Sequence, residues 1–270
     1  MKIQVQNEMG QELAKAEGEE RVSLFFEGAY QEGMHIVVSG LSPEHFYVFS
    51  PDAAIAPSLV FVRAEAFTYE IPFGEKKTGI AENAFSGNRH LAAIRTAEAF
   101  EWSGIRNLAL NPADQHGEVK VYPHATANVE TRGEAVFAAR NAIDGVICQN
   151  SHGEWPFESW GINRDPNAEL TVDFGRMVDI CEIRLYTRAD FPHDNWWIQG
   201  TLSFSSGASM TFPMDKKTDT PHVLQFGTNE APGLSGISWL KLGKLIPSQD
   251  PSPFPALTQI EVMGREHRPL

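Results

Sequence analysis

Asn141-Ala142-Ile143-Asp144-Gly145 begins the stretch that decides the fold, and Glu158-Ser159-Trp160-Gly161 continues it. Ala168-Glu169-Leu170-Thr171-Val172-Asp173-Phe174-Gly175 and Ile180-Cys181-Glu182-Ile183-Arg184-Leu185-Tyr186 follow, and Arg188-Ala189-Asp190 leads on to Trp197. Within residues 180–186, Cys181, Ile183 and Leu185 alternate with Glu182, Arg184 and Tyr186. Successive side chains of a strand point to opposite faces, so this alternation predicts a strand with one apolar face. Asp173-Phe174-Gly175 predicts a tight corner between two strands.

Short apolar runs broken by turn residues extend the pattern in both directions. Toward the C-terminus, strands are predicted at 198–204, 209–212, 222–226, 237–242 and 257–262. Toward the N-terminus they are predicted at 22–26, 35–38, 46–49, 59–62 and 66–71. Glu32-Gly33, Ser39-Gly40, Ser50-Pro51-Asp52 and Pro72-Phe73-Gly74 separate them. Strands so spaced read as a sandwich or barrel. Residues 91–102 begin as a strand and end as a short helix around Thr96-Ala97-Glu98-Ala99-Phe100-Glu101-Trp102. Nothing nearby has the Gly/Ser content of a flexible linker, so the segment reads as a packed connector. The reading is all-β: two β-sandwich, jelly-roll domains at 1–104 and 105–270 in rigid contact. No repeat of ~20–50 residues is visible, which excludes solenoids and propellers.

The order of motifs from Arg106-Asn107-Leu108-Ala109-Leu110-Asn111-Pro112 to Leu257-Thr258-Gln259-Ile260-Glu261-Val262 resembles the discoidin-type, galactose-binding-like β-sandwich. That is the fold of family 32 carbohydrate-binding modules and coagulation-factor C domains, and the resemblance covers about residues 106–266. It implies non-catalytic ligand recognition, here of a glycan or small sugar, on loops at one end of the C-terminal sandwich. It also implies a structural calcium ion held by the turn at Asp144, with Glu261 on the last strand completing the shell. Calcium takes six to eight hard oxygens, which such a turn supplies through its carboxylate and carbonyls. The sequence departs from the family between Gly145 and Trp160, where the further Asp and Thr of the family are replaced by Val146-Ile147-Cys148-Gln149-Asn150-Ser151-His152-Gly153-Glu154-Trp155. The alternative role for Asp144 is a hydrogen bond within its own turn.

Residues 188–197 combine Arg188, Asp190, His193, Asp194, Asn195, Trp196 and Trp197. Sugars are recognised by such mixtures, because indole faces stack on pyranose C–H faces while planar polar groups bridge hydroxyls. Arg188, Asp190, His193, Asn195 and Trp196 are therefore the candidate ligand residues, joined by His152 and Trp155 from the neighbouring loop. At least one of Trp196 and Trp197 is expected in the core, as is Trp160, and His124 reads as a surface or turn histidine. The competing readings are a structural corner with Arg188 paired to Asp190 or Asp194, a glycan-processing enzyme using Asp190, Asp194, Glu154 or Glu158, and a protein-interaction module.

The chain has 270 residues, 42% hydrophobic and 21% charged, the balance of a globular protein. A formal charge of −13 opposes long-range attraction to nucleic acid or anionic membranes but is indifferent to a neutral sugar. The polar start Met1-Lys2-Ile3-Gln4-Val5-Gln6 lacks a signal-peptide core, which points to the cytoplasm. Cys148 and Cys181 suit a reducing compartment, with a disulfide between them left open, and two cysteines alone do not make a zinc site. There is no Gly-x-Ser-x-Gly elbow and no His-Glu-x-x-His, and Phe73-Gly74-Glu75-Lys76-Lys77-Thr78-Gly79 lacks the spacing of a phosphate loop.

Overall fold

The computed structural model describes residues 1–117, 120–148, 155–189, 195–218, 220–228 and 230–267. Lys2–Gln6 (β1), Glu12–Glu17 (β2), Arg21–Glu27 (β3), His35–Ser39 (β4), His45–Ser50 (β5), Ser58–Val62 (β6), Ala66–Glu70 (β7) and Arg89–Thr96 (β8) build the first sandwich. One sheet runs β2-β1-β4-β7 and the other β6-β5-β8-β3. Their inner faces bury Ile3, Val5, Ile36 and Val38 against Val22, Leu24, Phe49, Val60 and Ile94. The strands predicted between 22 and 71 are all present. β1 and β2 were not predicted. β1 offers only Ile3 and Val5 to the core, and β2 is a polar, largely exposed edge strand. Charged residues on an edge discourage pairing with another chain and also mask the strand pattern.

The connector folds as expected into a short helix, Ala99–Trp102 (α1). Glu98 and Glu101 cap it reciprocally, and Arg95 holds Glu101 through two hydrogen bonds of 2.7 and 2.6 Å. Trp102 stacks on Phe46 with ring centroids 5.4 Å apart, which fixes the connector to the first sandwich.

Arg106–Asn107 (β9), Val121–Tyr122 (β10), His124–Ala127 (β11), Trp160–Gly161 (β12), Leu170–Arg188 (β13), Trp197–Phe204 (β14), Ser209–Pro213 (β15), His222–Gln225 (β16), Leu234–Pro247 (β17) and Ala256–Glu266 (β18) follow. The C-terminal sheet order is β12-β18-β13-β17-β14-β15, with β11 and β16 also on β13 and β9 on β18. The corner expected at Asp173-Phe174-Gly175 is a bend inside one continuous strand. Before it, β13 pairs with β11 and β17, and beyond it chiefly with β18 and β16. The strand thus passes from one layer of the sandwich to the other. The layers enclose Trp160, Leu170, Phe174, Ile183, Trp197, Phe212 and Leu240. Trp160 and Trp197 lie 6.5 Å apart at the centre, and Trp160 Nε1 donates to Val129 O at 3.0 Å. Cys148 and Cys181 are not joined in a disulfide, and Cys181 Sγ donates to Met263 O at 3.2 Å.

The chain crosses the junction between the domains more than once. Leu108 and Ala109 enter the second core, Ala113 and Val121 return to the first, and Ala125 belongs again to the second. β10 pairs with β6, so the first sandwich's five-stranded sheet includes a strand from beyond the connector. Tyr122 of β10 packs on Gly175 at the bend of β13.

Gly175 has φ +67, and a Cβ there would lie 2.3 Å from Tyr122 Cγ. A left-handed backbone alone costs an L-residue roughly 1–2 kcal/mol. Gly175→Ala should therefore lower the urea midpoint by more than Gly207→Ala does. Gly207 has φ +86 but nothing within 4 Å of its would-be Cβ. Equal losses would show that the Tyr122 contact contributes nothing.

Candidate functional site

The loops expected to bind a ligand begin where β13 ends. Arg188 is only 2% exposed, so it does not face solvent as the sequence reading required. Its Nη1 donates to Phe157 O at 2.9 Å, and its guanidinium lies 5.1 Å from the Phe157 ring centroid. A carbonyl and an aromatic face thus offset part of the cost of burying the charge. Arg188 ties residues 155–158 to the end of β13. Asn195 is buried as well. Its Oδ1 accepts from Trp196 N at 2.7 Å and from Ser248 Oγ at 2.6 Å, which joins this loop to the one between β17 and β18. Arg188 and Asn195 are supports beneath the surface. Asp190, His193 and His152 lie outside the described residues, as do Asp194 and Glu154.

The aromatic part of the expectation has a different outcome. Trp197 supplies the buried indole. Trp155 is 42% exposed, and Trp196 is half-buried with Lys216 Nζ 5.1 Å from its ring centroid. Phe254, on the loop that also carries Ser248, is exposed with the Arg164 guanidinium 5.7 Å from its ring. Lys216 and Phe254 carry no sequence motif and were not predicted.

His222 positions the segment that carries Lys216. Its Nε2 lies 3.1 Å from Asp215 N and 3.0 Å from Asp215 O, and its Nδ1 lies 3.4 Å from Leu185 O. Burial depresses the imidazole's proton affinity, and Lys217 adds to that, against the carbonyls of Asp215 and Leu185. His124, read from sequence as a surface or turn histidine, is buried on β11, with Nδ1 2.7 Å from Asp114 Oδ1.

The Asp144 turn closes the helical segment Ala139–Ile143. Asp144 Oδ1 accepts from Val146 N at 2.9 Å, and Gly145 N donates to Gln259 Oε1 at 3.1 Å. Burial pushes the Asp144 carboxyl up to about 8, with Arg140 opposing and Glu158 adding to the rise. Glu158 is buried too; its Oε2 accepts from Phe157 N at 2.9 Å while Oε1 has no hydrogen-bond partner. Glu261 is engaged elsewhere, 3.3 Å from Arg184 Nη1 and 3.5 Å from Tyr186 Oη. Two residues along a strand amount to about 7 Å, and it is Gln259 that reaches the turn. Among the described residues no three His, Cys, Asp or Glu side chains are grouped to hold a metal. The two buried carboxylates and the free Glu158 oxygen nevertheless suit a hard cation whose remaining ligands are amide and carbonyl oxygens.

Asp179, Ser235 and His267 also meet, but not as a nucleophilic triad. His267 Nδ1 faces both Asp179 Oδ1, at 2.8 Å, and Ser235 Oγ, at 3.3 Å. A triad uses one ring nitrogen for each partner.

No known protein family matches the chain by sequence, and no curated protein matches it. Solved structures do. One is chitosan-binding module 1 derived from a chitosanase/glucanase of Paenibacillus sp. IK-5, 18% identical, covering 58% of this chain and 98% of that one with a TM-score of 0.39. The family 32 CBM from C. perfringens NanJ in complex with galactose is 18% identical and covers 52% and 91%, with a TM-score of 0.36. A Streptococcus pneumoniae fucose binding module is 14% identical and covers 58% and 96%, with a TM-score of 0.39.

Two outcomes follow from the buried supports. Arg188→Ala should destabilise the fold by about 1.5–3 kcal/mol, the range for a charged hydrogen bond, seen as a lower urea midpoint. An unchanged midpoint would mean that the buried guanidinium contributes no net stability. The His222 contribution has a definite sign. Its folded pKa is depressed, so the unfolded chain binds the proton more readily and stability falls with falling pH. The contribution is fully present above the unfolded value of about 6.5 and is lost as pH drops through the lower folded value. Thermal melts of wild type and His222→Asn between pH 8 and 4 should diverge at high pH and converge at low pH. Parallel curves would remove His222 as the cause.

Proposed function

We propose that the loop end of the C-terminal sandwich binds a glycan and performs no chemistry on it. The observation that carries this reading is the pair of indoles, Trp155 and Trp196, left accessible at loops whose inner sides are fixed by Arg188, Asn195 and Ser248. An accessible indole offers a flat face to the C–H side of a pyranose. Lys216 beside Trp196 supplies three donors for hydroxyl groups. The resemblance of residues 106–266 to carbohydrate-binding sandwiches supports the same placement. Asp190, His193 and His152 remain proposed polar contacts.

Affinity for a single neutral sugar is expected in the millimolar to micromolar range, roughly −4 to −8 kcal/mol. A glycan array followed by calorimetry on the retained sugars tests the proposal. Trp155→Ala and Trp196→Ala should each weaken binding about tenfold, roughly 1.4 kcal/mol, while the fold stays intact. A reducing-sugar release assay on the same glycans should stay flat. Retention of no glycan, retention untouched by both substitutions, or steady sugar release would each defeat the proposal.

We also propose that calcium stabilises the Asp144 turn, with Asp144 and Glu158 as carboxylate ligands. Bound calcium would supply the positive charge that compensates two buried carboxylates. A ligand that binds only the folded state raises its stability. Calcium added to chelator-treated protein should raise the melting temperature of wild type and leave Glu158→Gln unmoved. A wild-type melt indifferent to calcium would count against the ion.

A further inference from the structure

The junction between the domains holds a cavity of about 440 Å³ built from both sandwiches. β7 and the turn after it form one wall through Tyr69, Glu70 and Glu75. The segment between β9 and β12 forms the other through Gln115, Glu130 and Arg140. Hydrogen bonds across the junction fix its width. Gln115 donates to Glu70 O at 2.7 Å and accepts from Glu70 N at 2.9 Å, which pairs a side-chain amide with the open edge of β7. Glu75 Oε1 accepts from Ala135 N at 2.6 Å, and Arg140 Nη1 donates to Gly79 O at 3.3 Å. A site already held open in this way loses little entropy on binding. Cavities of this size between domains are common ligand sites.

The charges decide which ligand fits. Arg140 lines the cavity but is occupied: it donates to the carbonyls of Asp114, Pro112 and Gly79 and to Asn141 Oδ1. It has little left with which to clamp an anion. Glu70, Glu75 and Glu130 also line the cavity, against the single ammonium of the exposed Lys76. Glu130 Oε1 accepts from Ala139 N at 2.8 Å and its Oε2 lies 3.2 Å from Nε2 of the exposed His116, which also lines the cavity, while Glu75 Oε1 accepts from Ala135 N. The Tyr69 phenol, pushed up to about 12 by burial first and by nearby Asp52 and Asp114 against Arg140, stays a neutral hydroxyl in the floor.

We infer that this cleft is a second ligand site, for a small polar organic cation carrying an ammonium group. The ammonium is set between Glu75 and Glu130, and hydroxyl or amide groups of the ligand meet Gln115 and Tyr69. The inference does not depend on glycan binding at the loop end, because the two sites share no residue.

Calorimetry with glucosamine, N-acetylglucosamine and glucuronate tests it, since these rings are similar in size and differ in charge. Glucosamine should bind at least tenfold more tightly than the other two, and more weakly as sodium chloride is raised, because salt screens the attraction. The Glu75→Gln, Glu130→Gln double variant keeps acceptor oxygens for Ala135 N and Ala139 N but loses both charges. It should lose glucosamine binding at least tenfold and melt as a folded protein. If the variant does not fold, perturbation of the Gln115 side-chain amide signals in the NMR spectrum of wild type by glucosamine decides the matter. Equal binding of all three sugars, glucosamine binding unchanged in the folded variant, or unmoved Gln115 signals would overturn the inference.

Discussion

A half-buried carboxylate, Glu266, gathers the groups that join the two sandwiches. Arg106 Nη2 lies 2.5 Å from its Oε1, and Arg176 Nε approaches both oxygens at 3.1 and 2.9 Å. Two guanidinium groups share one carboxylate, so a positive charge is left over in a mostly buried place. Aromatic faces of the first sandwich offset it. Arg176 lies 4.9 Å from the Phe46 centroid and 5.5 Å from Phe61, and Arg106 lies 5.4 Å from Phe46. The carbonyls of Trp102 and Phe174 take further donors. Buried charge is costly unless its hydrogen bonds are met, and here the ends of β18, β9 and the bend of β13 must come together under β5 and β6 to meet them. The same arrangement sets the bend of β13 beside Phe46 and Phe61 of the first sandwich.

The loop end of the C-terminal sandwich uses polar burial in a similar way. Arg188 and Asn195 contact main-chain and side-chain groups of other loops, and so turn three separate segments into one support. The groups proposed to meet a glycan, Trp155, Trp196 and Lys216, sit beside this support. The acidic chain does not oppose such a ligand, since a neutral sugar feels no long-range field.

The Asp144 turn shows how one position can support two readings. Its carboxylate does cap its own turn through Val146 N. That bond does not account for Glu158, a second carboxylate buried nearby with an oxygen left unpaired. Arg140 acts on both carboxyls but does not undo the rise in proton affinity that burial causes. Glu158, and not Glu261, is therefore the second carboxylate of the proposed calcium site.

Alternating apolar residues and turn residues determined the all-β class, most strands and the central tryptophan Trp160, because those signals depend on neighbours along the chain. β1 and β2 escaped, since β1 offers only two apolar residues to the core and β2 is a polar edge strand. The candidate loop was legible as a mixture of residue types. Which members face outward was not: Arg188 and Asn195 turned inward because a carbonyl at Phe157 and a hydroxyl at Ser248, remote in sequence, were there to receive them. The same holds for Lys216 beside Trp196, for Glu158 near Asp144 and for the cleft between the domains. Sequence alone fixed periodicity and composition. Only the tertiary structure decided orientation and partnership, because a polar group's place is set by the bonds available within about 3 Å of it, and those bonds come from distant parts of the chain.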